Sequence, residues 1–286
     1  MGVITNVSYA HAKNFQNINQ IANAKSEIIN NINKNGSIVL NADDEFFNKH
    51  KKIALYNKLK IYSFSLNKKN ANVYIKKIIK QKNKYKIIIN ANKKDKYFFV
   101  ESIFENNLKN ILATIAVISI LKDINKLNRN IFFKIKTPKG RGDISKIKIK
   151  RKIIKFVDES YNANPLSVSS AIKNFDLINK GSSEKPLILS DMLELGKHSK
   201  KLHEELANNI NSSKIDNVHV YGNYIKHTFN KIIPKKRGLI LKNRNEIINL
   251  IKNNINNNDY LMIKGSNLTG LHTLANNLKK GNLNVL

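Results

Sequence analysis

Asp158-Glu159-Ser160-Tyr161-Asn162-Ala163-Asn164-Pro165 is the stretch that decides how this chain folds. The run ahead of it, Ile153-Ile154-Lys155-Phe156-Val157, is apolar and β-branched and predicts a buried strand. Behind it, Leu166, Val168, Ala171, Ile172 and Phe175 fall on one face of a helix. Pro165 suits the first helical position, where its missing N–H has no partner to lose. Two carboxylates, a tyrosine and two asparagines therefore stand where a strand ends and a helix begins. In open α/β sheets that edge is where ligands bind. Taken singly, Asn164 also reads as a helix cap and Asn162 as a turn residue.

Downstream the pattern repeats. Strands are predicted at 153–157, 187–189, 218–221, 239–241 and 260–263, and helices at 165–178, 199–211, 223–230, 244–255 and 267–279. Alternation of this kind predicts an α/β fold with a doubly wound, mostly parallel, Rossmann-like sheet. No Gly-x-Gly-x-x-Gly follows the first strand, so the dinucleotide fingerprint is missing. Polar groups return at the strand ends. Ser190-Asp191-Met192-Leu193-Glu194-Leu195-Gly196 follows the second strand, with His203 in the helix after it. Lys264-Gly265-Ser266 follows the last strand and opens a helix, whose free N–H groups favour an anion.

Upstream, Gly2-Val3-Ile4-Thr5-Asn6 reads as a strand and Val7-Ser8-Tyr9-Ala10-His11 as a loop. A helix from about Asn17 to Asn33 carries an apolar stripe of Ile18, Ile21, Ala22, Ile28, Ile29 and Ile32. Lys25 lies on that stripe. Burial there disfavours an ammonium, and a neutral amine can take up carbon dioxide as a carbamate, a bidentate anion. The competing reading is a lysine that snorkels to solvent. Ser37-Ile38-Val39-Leu40 is a short strand ended by the turn chemistry of Asn41-Ala42-Asp43-Asp44. Residues 53–104 read as short strands of a small antiparallel sheet. Asn106-Asn107-Leu108-Lys109-Asn110 opens an apolar helix to about Leu121, with Asn107 as a possible cap. Thr137-Pro138-Lys139-Gly140-Arg141-Gly142-Asp143 is turn-rich and predicts a boundary between domains at 1–135 and 136–286.

Composition narrows the class. Hydrophobic residues make up 41%, enough for real cores, and there is no cysteine, so disulfide frameworks and thiolate metal sites are excluded. No apolar run reaches the roughly 20 residues of a membrane span, and no signal peptide is visible at Met1-Gly2-Val3-Ile4-Thr5. Lys+Arg is 51 against Asp+Glu 20, a net +31 that predicts attraction to polyanions. The lysines are scattered among Asn and Ile along the whole length, and all three residues have AT-rich codons. Genome bias is the simpler cause, although a basic nucleic-acid-binding protein stays an alternative. A basic surface in any case favours nucleotide substrates.

The octapeptide closely resembles the signature of a Mur ligase, and other stretches agree. Thr5-Asn6-Val7 with Ala10-His11, Ala22 to Ile28 around Lys25, and Leu40-Asn41-Ala42-Asp43-Asp44 look like consecutive motifs of that family's central domain. Asn107, the Pro-Gly-Arg-like turn at Arg141, the Asp-Met-x-Glu-Leu-Gly run and Lys264-Gly265-Ser266 resemble further elements, in order. The resemblance implies the latter part of a central ATP-binding domain followed by a Rossmann-like C-terminal domain. It implies a cytoplasmic, ATP-dependent amide ligase that adds D-alanyl-D-alanine to UDP-N-acetylmuramoyl-tripeptide. By the same resemblance, carbamylated Lys25 and His11 hold Mg²⁺. Asn107 meets adenine, Arg141 reaches phosphates, and Glu159 binds ribose, with Asp158, Tyr161 and Asn162 beside it. Lys264, Ser266, Asp191 and Glu194 face the incoming substrate.

Gly-x-x-x-x-Gly-Lys-[Ser/Thr] occurs nowhere in the chain. The family's phosphate loop lies upstream of the motifs matched here, so the chain reads as the C-terminal portion of the ligase, inactive alone. It would be a remnant, or a subunit whose partner is a separate chain carrying the phosphate loop.

Overall fold

The computed structural model describes residues 1–10, 12–133, 135 and 138–282. They form two compact units, one of Met1–Ser8 with Phe15–Lys136, the other of Tyr9–Asn14 with Thr137–Leu286.

The first unit holds one six-stranded sheet: β1 (Gly2–Ile4), β2 (Ser37–Asn41), β3 (Lys60–Ser65), β4 (Val73–Lys80), β5 (Tyr85–Ala91) and β6 (Lys94–Val100), in that spatial order. β1 to β4 run parallel and β4 to β6 antiparallel. The antiparallel hairpins are therefore a continuation of the parallel sheet, not a separate small one. Helices α1 (Ile18–Asn30) and α2 (Phe47–Tyr56) cover one face through Ile29 and Ala54, which pack on Ile4, Ile38 and Leu40. Helix α3 (Glu105–Leu121) covers the other, with Leu108, Leu112 and Ile115 on Val39, Phe64, Ile87 and Phe98. Two expectations are corrected here. Residues 53–56 are helical, because His50 and Ala54 one turn apart supply α2 with its buried positions. β3 pairs parallel to β2, from which α2 separates it, as a crossover requires.

The second unit is the predicted doubly wound sheet. Its strands are β7 (Asp143–Ile149), β8 (Lys152–Glu159), β9 (Leu187–Ser190), β10 (Val218–Tyr221), β11 (Arg237–Leu241) and β12 (Tyr260–Lys264). Spatial order is β11-β10-β9-β12-β8-β7, parallel except for β7. β7 is absent from the sequence reading. Its Asp-Ile-Ser-Lys-Ile-Lys-Ile alternation buries only Ile147 and Ile149, as suits an edge strand. Helices α4 (Pro165–Asp176), α5 (Ser199–Ser212), α6 (Ile225–Lys231), α7 (Arg244–Asn253) and α8 (Leu271–Lys279) wrap it. Ile154, Phe156, Leu261 and Ile263 pack against Ile247 and Ile251 of α7 and Leu271 and Leu274 of α8. The last helix begins later than its pattern predicts: Asn267–Thr269 form a 3-10 turn, and Gly270 in the left-handed region (φ 78) separates it from α8. Among the described residues no helix is long and apolar enough to cross a membrane.

Candidate active site

The strand order of the second unit reverses at β12, which inserts between β9 and β8. Ligands of open α/β sheets bind beyond the carboxyl ends of the strands at such a reversal. There the loops after β8, β9 and β12 meet, and they carry most of the sequence-predicted residues.

Lys264, the last residue of β12, is registered against Glu159, the last of β8. Its ammonium is almost fully buried. It donates to the Asn162 carbonyl at 2.9 Å and lies 3.3 Å from Glu159 Oε2 and 3.4 Å from the Glu159 carbonyl. These contacts use all three ammonium donors. Burial lowers the lysine below its ordinary value, and Glu159 acts in the opposite sense. Burial likewise pushes the Glu159 carboxyl up, against the pull of Lys264, with Asp158 adding to the rise. Desolvation outweighs attraction on both sides, so each partner is driven towards its neutral form.

Asp158 is fully buried. Its Oδ1 accepts from the Ser160 N–H at 3.0 Å and the Ser160 hydroxyl at 2.5 Å, and its Oδ2 lies 2.5 Å from Lys279 Nζ. Lys279 also reaches Asp143 Oδ2 at 2.7 Å. Burial opposes the lysine's charge, but the two carboxylates outweigh it and hold Lys279 above its ordinary value. Since Ser160 donates to Asp158, it accepts from His272 Nδ1 at 3.1 Å, and Nε2 of that ring accepts from Asn276 at 3.2 Å. His272, Asn276 and Lys279 thus form a polar stripe on α8, aimed at the octapeptide. The octapeptide marks this turn, but only the i, i+4, i+7 spacing of His272, Asn276 and Lys279 on α8 could have revealed the stripe.

The turn before β7 sits against the same loop. Gly142 N donates to the Asp158 carbonyl at 2.8 Å, and Tyr161 N to the Gly140 carbonyl at 3.1 Å. A Cβ at Gly140 would meet His272 and Tyr161 at 3.0 Å, and one at Gly142 would meet Glu159 Oε1 at 2.9 Å. Both glycines have positive φ (74 and 94). This closeness sets the exposed Arg141 guanidinium over the Tyr161 ring, 4.5 Å from its centroid, with its N–H edge open to a phosphate. Tyr161 packs edge-on against His272 at 5.5 Å.

Other expected residues serve the scaffold. Asn164 is the α4 cap: its side chain accepts from Ser167 N at 2.9 Å, and Ser167 Oγ accepts from Asn164 N at 3.0 Å. Asn162 Oδ1 accepts from Ala163 N. Asp191 accepts from Asn223 N and Ile225 N at 3.0 and 2.7 Å, so it caps the loop after β10. Ser266 Oγ accepts from Leu193 N at 2.9 Å and reaches the Ala163 carbonyl at 3.4 Å, tying three loops together. His203 Nδ1 donates to the Ser199 carbonyl and Nε2 accepts from Met192 N; burial keeps this ring below its ordinary pKa. Glu194 is exposed, with a left-handed φ of 63. A cavity of about 220 Å³ opens among Tyr161, Asn162, Glu194 and Ser266.

The structure brings Asp158, Glu159, Tyr161, Asn162, Arg141, Lys264 and Ser266 together at one strand edge of the second unit. Lys25 and Asn107 belong to the first. Lys25 is exposed on α1, whose buried positions are Ile21, Ala22, Ser26 and Ile29. This corrects its placement on the apolar stripe: the buried face is turned by about one position, and Ser26 satisfies its hydroxyl on the Ala22 carbonyl at 2.8 Å. Asn107 is half-buried in the first turn of α3 and is not the cap, a position held by Phe104. His11 lies outside the described residues. Among the described residues no group of three or more His, Cys, Asp or Glu could hold a metal ion.

Comparison with known proteins assigns both halves of the chain to one family. The Mur ligase middle domain family matches residues 1–118, and the Mur ligase glutamate ligase domain family matches residues 145–267. The UDP-N-acetylmuramoyl-tripeptide--D-alanyl-D-alanine ligase of Rickettsia prowazekii is 30% identical over 272 residues, 93% of this chain and 58% of the relative. The ligase of the same name from Buchnera aphidicola subsp. Baizongia pistaciae is 30% identical over 285 residues, 98% and 59%. The chain thus spans a little under three fifths of these relatives. Among solved structures, MurF from Acinetobacter baumannii superposes with a TM-score of 0.82 at 22% identity, covering 97% of this chain and 59% of that one. MurF from Thermotoga maritima in complex with ADP gives 0.79 at 21%, covering 98% and 61%. These likenesses show the fold. With two consecutive domains of one family matched in order over most of its length, the chain belongs to the Mur ligase family.

Proposed function

We propose that this chain provides the middle and C-terminal parts of an ATP-dependent amide ligase that joins D-alanyl-D-alanine to UDP-N-acetylmuramoyl-tripeptide in the cytoplasm, a step of peptidoglycan precursor synthesis. One observation carries the reading. The strand edge that holds the buried Lys264–Glu159 pair and the Arg141–Tyr161 stack belongs to a chain whose relatives at 30% identity bear that name.

In such a reaction the tripeptide carboxylate attacks the γ-phosphate of ATP, releasing ADP and leaving an acyl phosphate. The amine of the dipeptide then attacks the acyl carbon, losing a proton as inorganic phosphate departs. Arg141 would hold phosphate oxygens in pairs while its face rests on Tyr161. Glu159 would accept a ribose hydroxyl. Lys264 has no spare donor, so it would act by fixing the turn and by its positive potential, or would yield its 3.4 Å contact to the incoming substrate. Asn107 would meet adenine. Magnesium would neutralise phosphate charge. The described residues present no ready cluster for it, so its proposed ligands are His11 and a carbamate on the exposed Lys25 amine.

Nuclear magnetic resonance titration tests the reading. ADP and D-alanyl-D-alanine should shift the amides of Arg141, Tyr161, Asn162 and Ser266, and Arg141→Ala should weaken ADP binding about tenfold. Titrations with both ligands that leave the octapeptide unmoved would overturn it.

A further inference from the structure

Two cavities lie side by side along the carboxyl edge of the second unit's sheet. The first is the 220 Å³ cavity at Tyr161, Asn162 and Ser266. The second, about 480 Å³, shares Leu193 and Leu268 with it as a dividing wall. Its floor is formed by the final residues of three neighbouring strands: Ser190 of β9, Tyr221 of β10 and Leu241 of β11, which are partners in the ladder.

Three features define what the second cavity accepts. The Ser190 hydroxyl is completely buried and has no hydrogen-bond partner among the described residues. Folded proteins rarely leave such a group unmatched, so it marks a place for a ligand or water oxygen. The carboxylate at the rim, Asp191, is already occupied by the N–H groups of Asn223 and Ile225. The remaining charges are the exposed ammonium groups of Lys226 and Lys242. A hydroxyl below and two lysines at the mouth suit a carboxylate.

We propose that the two cavities divide one ligand between them: the first takes the amino-terminal residue of an incoming dipeptide, and Ser190, Lys226 and Lys242 in the second hold its terminal carboxylate. These residues thereby select a dipeptide over a single amino acid. An extended dipeptide separates its amine from its carboxylate by at most about 7 Å, and a single amino acid by about half of that, so only the dipeptide offers a group to each of two adjacent cavities. The inference rests on the ligase reading given above, and names the part of the site that measures the length of the incoming substrate.

The test compares binding of D-alanyl-D-alanine, its C-terminal amide and D-alanine to the 286-residue chain by calorimetry and amide shifts. The amide and the single amino acid should bind about tenfold or more weakly than the dipeptide. The Lys226→Ala/Lys242→Ala variant should lose about the same factor for the dipeptide and nothing for the amide. Both lysines are exposed, so an unchanged melting point should accompany the loss; Ser190→Ala, which only removes an unmatched hydroxyl, gives an independent variant with a smaller loss. Equal binding of dipeptide and amide, or a double variant that does not discriminate them, overturns the inference while the ligase reading stands. If neither ligand binds at millimolar concentration, both fall.

Discussion

Lys279 Nζ stands 2.5 Å from Asp158 Oδ2, and the carboxylate it faces is fully buried. The contact joins the last turn of α8 to the first residue of the octapeptide, 121 positions earlier in the chain. Asp143 completes the cluster at 2.7 Å. Removing the cation strands a buried carboxylate, a more costly change than deleting a surface pair. Lys279→Ala should therefore cost the second unit about 3–5 kcal/mol, read from urea denaturation. Adding Asp158→Asn to that variant should recover part of the loss; a double variant no more stable than the single one would show that the pair is not the cause.

Gly142 invites a second experiment. Its φ of 94 is one that L side chains avoid, and a Cβ there would press on Glu159 Oε1 at 2.9 Å. Gly142→Ala should destabilise the unit by about 1–3 kcal/mol. It should also displace the Glu159 carboxylate, visible as altered amide shifts at Asn162 and Lys264.

Replacing Lys264 by Met should alter the dependence of stability on pH. Burial already pushes the Glu159 carboxyl up, and only the lysine and Arg141 pull it back. Without Lys264 it rises further. A carboxyl raised on folding contributes stability below its unfolded value, which is lost as pH rises through the folded value. Relative to the parent, Lys264→Met should thus be less destabilised in acid, near about pH 5, than near neutrality. Denaturation midpoints at the two pH values decide it.

His219 gives the opposite sign. Burial holds it down from 6.5 to about 4, and Nδ1 accepts from Leu239 N at 3.0 Å. A depressed value means that the neutral ring's stabilisation is whole above pH 6.5 and is lost as pH falls through about 4. The loss amounts to about 3 kcal/mol for the second unit on full protonation. His219→Asn keeps an acceptor without the titration, and should flatten the acid limb of a stability–pH curve. An unchanged limb would assign acid sensitivity to other groups, such as His203, which burial also lowers.

Sequence periodicity made the second unit legible, because parallel strands buried on both faces appear as short apolar runs between helices. It failed where burial is partial. β7 buries two residues, too few to stand out as a strand, and α2 buries His50 and Ala54, too few to outweigh the alternation around them. Lys25 was misplaced because Ile28, at 42% exposure, belongs to the apolar pattern but not to the buried face. The candidate site was legible as a cluster of motifs at one strand edge, though not in which of its residues serve the scaffold. Nothing local marks Asp191 as a cap for the loop after β10, since its partners lie 32 and 34 positions away. A still longer separation in sequence hides α8's polar stripe from the octapeptide it supports.

The central position of β12 has a consequence for synthesis of the protein. The strand that separates β9 from β8 is, among the described strands of the unit, the last to leave the ribosome, as residues 260–264. Until then, β9 and β8 each present an unpaired inner edge, and such edges recruit other chains. A product ending before residue 260 would keep every helix of the unit except α8. It would nonetheless consist of two unjoined half-sheets, open to aggregation and proteolysis along the line where Lys264 should meet Glu159.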